Sequence, residues 1–232
     1  MTTPTKVSLP ASLVACALAF AICAPAHATL SWNAGADFSA SSNANGPWSY
    51  GTRATVGGAS LSLLTDAVSG GPVSGWTDIP VAFAGTPFIG KNFSNSVYQS
   101  GTVTWLAGDF TMHPGPVGFG MREFAVTRWM APTAGLATIS GGFLPADAGA
   151  TDVHVVLNGT AIFSAFRAGG TSVNFNLSQP IALGDTLEFV VGNAGDFAFD
   201  TTVLDATIVI PSPATLALGA GMLGFASRRK RR

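Results

Sequence analysis

Reactive side chains are scarce in this chain, and their spacing narrows the chemistry open to it. Beyond the N-terminal leader there are two histidines, His113 and His154, and the whole chain has two glutamates, Glu123 and Glu188. His154 alternates with Val153 and Val155, which places it on the outer face of a strand, as a structural or exposed residue before a ligand or general base. His113 precedes Pro114-Gly115, where it would sit in a turn and hydrogen-bond its own loop. Glycoside hydrolysis needs two carboxylates about 5–10 Å apart across a sugar. Glu188 stands between Leu187 and Phe189, so alternation puts it on a solvated strand face. No Gly-x-Ser-x-Gly elbow, His-Glu-x-x-His pair or phosphate loop occurs. No residue is assigned a catalytic role on these grounds. A secreted glycoside hydrolase acting on extracellular polysaccharide is the alternative reading.

Two other features suit binding. The stretch Asn193-Ala194-Gly195-Asp196-Phe197-Ala198-Phe199-Asp200 puts three oxygen-bearing side chains, Asn193, Asp196 and Asp200, into one glycine-containing loop. Calcium takes six to eight oxygen ligands, and backbone carbonyls can complete such a set. An ordinary turn, with Asn and Asp capping their own backbone, explains the same residues. No other cofactor is implied. The second feature is a pair of tryptophans expected in loops. Trp48 lies in Asn45-Gly46-Pro47-Trp48-Ser49-Tyr50-Gly51, and Trp76 in the turn-rich stretch Asp66–Pro80. An indole in such a loop either stacks on the C–H face of a sugar or folds back as a plug. Trp48, Trp76, Tyr50 and Asn45 are therefore the glycan-binding candidates, with Asn43, Ser49 and Asp78 near enough to read hydroxyls. Trp105 and Trp129 fall in expected strands, where core packing is the default.

Strands must carry all of these groups. Period-two alternation recurs, and no long segment has helical periodicity. Val153, Val155 and Leu157 share a face, Asn158-Gly159 is a strong hairpin signal, and Thr160–Phe166 returns. Val173, Phe175 and Leu177 point inward from the next strand, and Leu204, Ala206, Ile208 and Ile210 from the last. A turn at Leu183–Thr186 leads into Leu187–Val191. Further strands are expected at Ala54–Leu64, Val97–Leu106, Glu123–Met130 and Leu136–Phe143. Many short strands, 28 glycines, 14 prolines and only 10% charged residues indicate an all-β fold, a single jelly-roll-like β-sandwich over Thr29–Ile210. That body carries five basic against twelve acidic side chains, a net of −7, which excludes nucleic acid as a partner.

Both ends look like addresses. Lys6, an apolar run over roughly Leu9–Ile22 and the small residues Ala26 and Ala28 around His27 form a secretory signal, with cleavage expected after Ala28. Leu13-Val14-Ala15-Cys16 fits a lipobox, but the residues after Cys16 stay apolar where a lipoprotein needs a polar tether. Cys16 and Cys23 both lie in the segment to be removed, so the body would hold together without disulfides. At the other end come Pro211, Ser212 and Pro213, a 13-residue apolar stretch Ala214–Ala226, and the run Arg228, Arg229, Lys230, Arg231, Arg232. The stretch is short against the ~20 residues of a full bilayer span, and the basic run would hold its end on the cytoplasmic side.

In order, this tail resembles the PEP-CTERM sorting signal of Gram-negative bacteria, also known as an ice-binding-protein C-terminal-type tail. Ser212 stands where that family usually has glutamate. The resemblance implies recognition by an exosortase-type membrane protease, transient membrane contact through the tail, release to the outer surface or the medium, and association with exopolysaccharide. Segments of the body, among them HPG with RWMAP after it and TDVHVVLNGTAIFSA, resemble a recurrent exported domain found ahead of such tails. A non-enzymatic surface or matrix protein that binds polysaccharide is the expectation. Mass spectrometry of protein recovered from the cell surface should find a species lacking both ends; a mature form still carrying Arg232 would overturn the C-terminal half.

Overall fold

The computed structural model describes residues 29–58, 60–78, 86–118 and 120–211. Ala26, Ala28, Ser212, Pro213 and the tail after them lie outside the described residues, whereas Pro211 ends the last strand. Sixteen strands are described: β1 Thr29–Asn33, β2 Trp48–Arg53, β3 Ser62–Leu63, β4 Asp66–Gly70, β5 Val73–Thr77, β6 Phe88–Asn92, β7 Tyr98–Ser100 and β8 Val103–Trp105. They continue with β9 Phe110–His113, β10 Phe124–Met130, β11 Gly135–Pro145, β12 Thr151–Leu157, β13 Thr160–Arg167, β14 Val173–Ile181, β15 Thr186–Gly192 and β16 Thr202–Pro211.

The protein is an all-β sandwich. One sheet runs β14-β11-β16-β9-β6-β5-β4, with β1 also on β16; the other runs β13-β12-β15-β10-β2-β3. From β9 onward the chain crosses between the sheets at almost every connection, as in a jelly roll. The β7–β8 hairpin belongs to neither sheet.

Alternation explains the interior. Leu204, Ala206, Ile208 and Ile210 of β16 are buried, as are Val153 and Val155 of β12 and Leu187, Phe189 and Val191 of β15. Between the sheets they meet an aromatic seam. Trp32 lies 5.1 Å from Trp129, Phe38 lies 4.8 Å from Tyr50, and Phe175 bridges Phe143 and Phe189 at 5.6 and 5.7 Å. Such tilted contacts suit the ring quadrupoles, and each fully buried large apolar side chain contributes about 1.5–3 kcal/mol. The Asn158-Gly159 turn has φ of 49° and 79°, the left-handed pair that a two-residue hairpin requires. Asn158 Nδ2 donates to Asp185 Oδ1 at 2.9 Å, joining this turn to the one before β15.

Some elements differ from the sequence expectation. Val97–Leu106 is the β7–β8 hairpin, broken at Gly101 (φ 60°). Among the described residues of Ala54–Leu64, only Ser62–Leu63 is extended and paired. From the same stretch Val56 and Leu61 pack on Val126, Val156 and Val190 at the outer face of the second sheet. Gly51 makes room for it, since a Cβ there would lie 2.4 Å from the Ser62 carbonyl oxygen.

That stretch changes the fate of Glu188. Alternation put it on a solvated face, yet it is 1% exposed. Arg53 donates to it from Nη1 (2.8 Å to Oε2) and Nη2 (2.6 Å to Oε1). Arg128 Nε reaches Oε1 at 2.7 Å. The forked guanidinium of Arg53 satisfies both oxygens of a carboxylate that β15 alone would strand in an apolar layer. Replacing Glu188 with Ala removes the carboxylate that holds the buried Arg53 guanidinium and should cost about 3–5 kcal/mol of unfolding free energy, read from urea denaturation.

Candidate functional site

The tryptophans named for sugar binding are not on the surface. Trp48 opens β2 and is fully buried, its Nε1 donating to Asp37 Oδ2 at 3.1 Å. Trp76 lies in β5, 7% exposed, with Nε1 on the Ser39 carbonyl oxygen at 2.7 Å. Tyr50 is also fully buried, and burial pushes its phenol above its ordinary pKa. Asn45 donates from Nδ2 to the Asp37 carbonyl oxygen at 2.8 Å. Asn43 spends its amide on the backbone of Tyr50 and Leu64, and Asp78 pairs with Arg122. The expectation of a loop-borne indole platform is thus corrected: both tryptophans sit on strands whose inner face is the core, and the polar neighbours fasten the Ser39–Asn45 loop over them.

The histidines are likewise held in place. His154 bridges Asp152 (Nε2, 2.9 Å) and Ser164 (Nδ1, 2.8 Å) on the outer face of the second sheet. His113 ends β9 instead of standing in a turn, and its Nδ1 lies 2.7 Å from the Pro114 carbonyl oxygen. Nδ1 therefore carries the proton, leaving Nε2 as an acceptor. Burial lowers the imidazole pKa, so the ring is neutral at pH 7.

The surface feature that stands out is a cleft of about 730 Å³ at one end of the sandwich, between the β7–β8 hairpin and the connections after β11 and β15. Gln99, Thr102, Asp147 and Phe199 line it. Phe199 is 54% exposed with φ 66°, a left-handed backbone that costs an L-residue about 1–2 kcal/mol. Its neighbour explains how the strain is held. Asp200 is fully buried, and Gly149 N donates to the Phe199 carbonyl oxygen at 2.7 Å. A Cβ on Gly149 would lie 2.2 Å from Asp200 Oδ1, so only glycine allows the approach. The chain turns Asp200 inward and thereby the Phe199 ring outward. Asp147 accepts from Thr102 Oγ1 (2.9 Å) and from Ala148 N (2.8 Å), which fixes its carboxylate at the cleft wall.

The three side chains considered for calcium share the Asn193–Asp200 loop but do not converge. Asn193 Oδ1 accepts from Gly195 N at 3.1 Å and Asp196 Oδ1 from Ala198 N at 3.1 Å, both of them turn caps. Among the described residues no three His, Cys, Asp or Glu side chains gather as metal ligands. Both oxygens of buried Asp200 lack a hydrogen-bond partner, and the positive charge of Arg167 acts on them. This donor set does not fit a calcium shell.

No protein-family model matches the chain, and no curated protein matches it. Solved structures similar to it include the CBM51 module from Clostridium perfringens GH95 in complex with methyl-galactose: 14% identity, 62% of this chain, 93% of that one, TM-score 0.34. The carbohydrate-binding module CBM36 in complex with calcium and xylotriose is 15% identical over 48% of this chain and 90% of that one, TM-score 0.29. A family 35 carbohydrate-binding module from an environmental isolate is 19% identical over 43% and 82%, TM-score 0.28. Similarity this remote assigns no residue a role; the roles here rest on the chain's own geometry.

Asp200 gives the site a pH signature. Burial raises its pKa to about 8, against 3.8 for the free side chain. Between those values the folded chain keeps a proton that the unfolded chain releases. Stability is therefore fully present below about pH 4 for this group and falls as pH rises toward 8. Asp200→Asn should remove that slope and raise the thermal midpoint at pH 8, measured across pH 5–9. Repeating the scan in millimolar calcium checks whether a cation takes the proton's place.

Proposed function

We propose that this is an exported, non-catalytic surface protein that binds neutral polysaccharide in the cleft beside Phe199. The reading is carried by one observation: an exposed aromatic ring, held in a strained backbone, on the wall of the open cleft. Strain of this kind persists where the surroundings impose it and is concentrated at ligand-binding positions. A pyranose presents axial C–H groups on one face, which pack on an aromatic ring, while Gln99, Thr102 and Asp147 meet the hydroxyls. A body of net charge −7 repels uronate-rich polymers, most strongly at low salt.

Hydrolysis is disfavoured by the same geometry. Asp147 is the carboxylate that lines the cleft; Asp200 is wholly buried behind it, and Glu188 is locked between two arginines in the other sheet. A pair of carboxylates facing one sugar is what either glycosidase mechanism needs. Export through the N-terminal signal and sorting by an exosortase-type protease complete the proposal, supported by the order of the terminal motifs.

Substitution of Phe199 tests the platform in two directions at once. Phe199→Ala and Phe199→Gly should each weaken binding to insoluble neutral polysaccharide by roughly tenfold or more, about 1.4 kcal/mol. Glycine suits a left-handed backbone, so Phe199→Gly should be more stable than Phe199→Ala by about 1 kcal/mol. Unchanged depletion of both variants by the polymer would sink the proposal.

A further inference from the structure

The two ends of the sandwich differ in charge and in what leaves them. β1 pairs with β16 so that Thr29 lies opposite Pro211, and the described chain therefore begins and ends at one place. At that end lie the connections 131–134, 158–159 and 182–185, which hold one charged side chain, Asp185. Gly184 N donates to the Ala131 carbonyl oxygen at 2.9 Å, and Asn158 Nδ2 to Asp185 Oδ1 at 2.9 Å, so the three are tied together. The opposite end carries the cleft, where Pro145 of β11 lies opposite Thr202 of β16. Its connections 146–150 and 193–201 hold Asp147, Asp196 and Asp200. The length of β16 from Thr202 to Pro211 separates the two ends by about 30 Å, at the usual rise of a strand.

Large apolar side chains are exposed at the charge-poor end. Leu183, in the β14–β15 connection, is 72% exposed, and Leu136, second in β11, is 61% exposed. Met130, last in β10, and Leu30, second in β1, are exposed as well. Exposed leucines scattered singly mean little, but four large apolar residues at one end form a rim that calls for a partner. The sequence on either side of the body says which. Thr29 follows the apolar run over residues 9–22, and two residues separate Pro211 from the apolar stretch 214–226. A tether that short holds the body within about 10 Å of whatever takes up the apolar stretch.

We infer that this end of the sandwich docks on a lipid surface, with Leu183 and Leu136 sunk at the boundary of headgroups and acyl chains and the Phe199 cleft facing away. The inference rests on the reading of the terminal segments as membrane-directed and goes beyond it. A tether alone would let the body turn freely, whereas the rim fixes which way the cleft points. Burial of exposed apolar area drives the docking. Charge selects the end, because an acidic body meets an anionic leaflet most easily where a single carboxylate faces it. Docked in this way, the protein holds its cleft out to polymer and keeps it off the lipid.

Nitroxide labels on the full chain, held in vesicles of phosphatidylethanolamine and phosphatidylglycerol, test the orientation. Cys16→Ala and Cys23→Ala leave a single labelled site in each variant. A label at Ala134→Cys, exposed beside the rim, should be more accessible to oxygen than to a water-soluble nickel chelate. A label at Ala148→Cys, exposed at the cleft, should show the reverse order. Adding Leu136→Glu and Leu183→Glu together should reverse the order at Ala134, with the thermal midpoint within a few degrees of the parent because both side chains face solvent. Equal chelate access at the two positions, or no response to the paired substitution, overturns the inference. Polymer binding by the same vesicles, weakened by Phe199→Ala, would then leave the cleft standing. Spin–spin broadening between Ala134 labels, with both probes shut out, would put a second copy on this end and overturn the lipid assignment. A chain that does not float with the vesicles overturns the orientation and the membrane-directed reading of the tail together.

Discussion

With no cysteine between Thr29 and Ile210, this body is held by packing between its two sheets, and aromatic rings fill the seam between them. Trp129 meets Trp32 from β1, Tyr50 meets Phe38, and Phe175 joins the two sheets through Phe143 and Phe189. The Trp32–Trp129 contact joins β1 to β10, nearly a hundred residues on, so it is not secure until the sandwich has closed. Everything useful on the surface is fixed relative to this seam. The Asp37–Asn45 loop is tied to it through Trp48 and Trp76, and the end of β11 and the start of β16 lie beside the cleft.

The second sheet has a further constraint on its outer face. A strand face that reads as solvated from alternation is covered by Val56 and Leu61, and Glu188 is buried with it. Burial would be prohibitive for a lone carboxylate; with Arg53 and Arg128 on it the charge is compensated and three strands are fixed in register. Nothing in the alternation of Leu187, Glu188 and Phe189 shows this, because the covering segment comes from more than a hundred residues earlier.

The later half of the fold was the more legible. Clean alternation in β12, β14 and β16 and the Asn158-Gly159 turn identify strands, faces and a hairpin because each signal is local. The earlier half hides its strands behind glycine and proline. Gly70-Gly71-Pro72 reads as loop, yet it is the tight turn of the β4–β5 hairpin that carries Trp76 inward. The candidate site inverted for the same reason. Large indoles in a glycine-rich context look exposed but pack inward, whereas Phe199, in what reads as a plain turn, faces out. Its exposure depends on Asp200 being buried and on Gly149 approaching from another connection, and neither fact is local. Of the loop residues considered for calcium, Asn193 and Asp196 each use a side-chain oxygen to cap the turn, whereas Asp200 turns into the interior.

The β7–β8 hairpin stands apart from all of this. It pairs with neither sheet and rests on Val73 and Phe88, tied by a backbone bond from Thr104 N to the Ala146 carbonyl oxygen at 2.9 Å and by Trp105 Nε1 to Thr111 Oγ1 at 3.1 Å. So small a satellite cluster can open and close while the seam stays shut, which makes the hairpin a separate cooperative unit with a low free energy of local unfolding. Its amides would exchange with solvent long before those of β10 or β15.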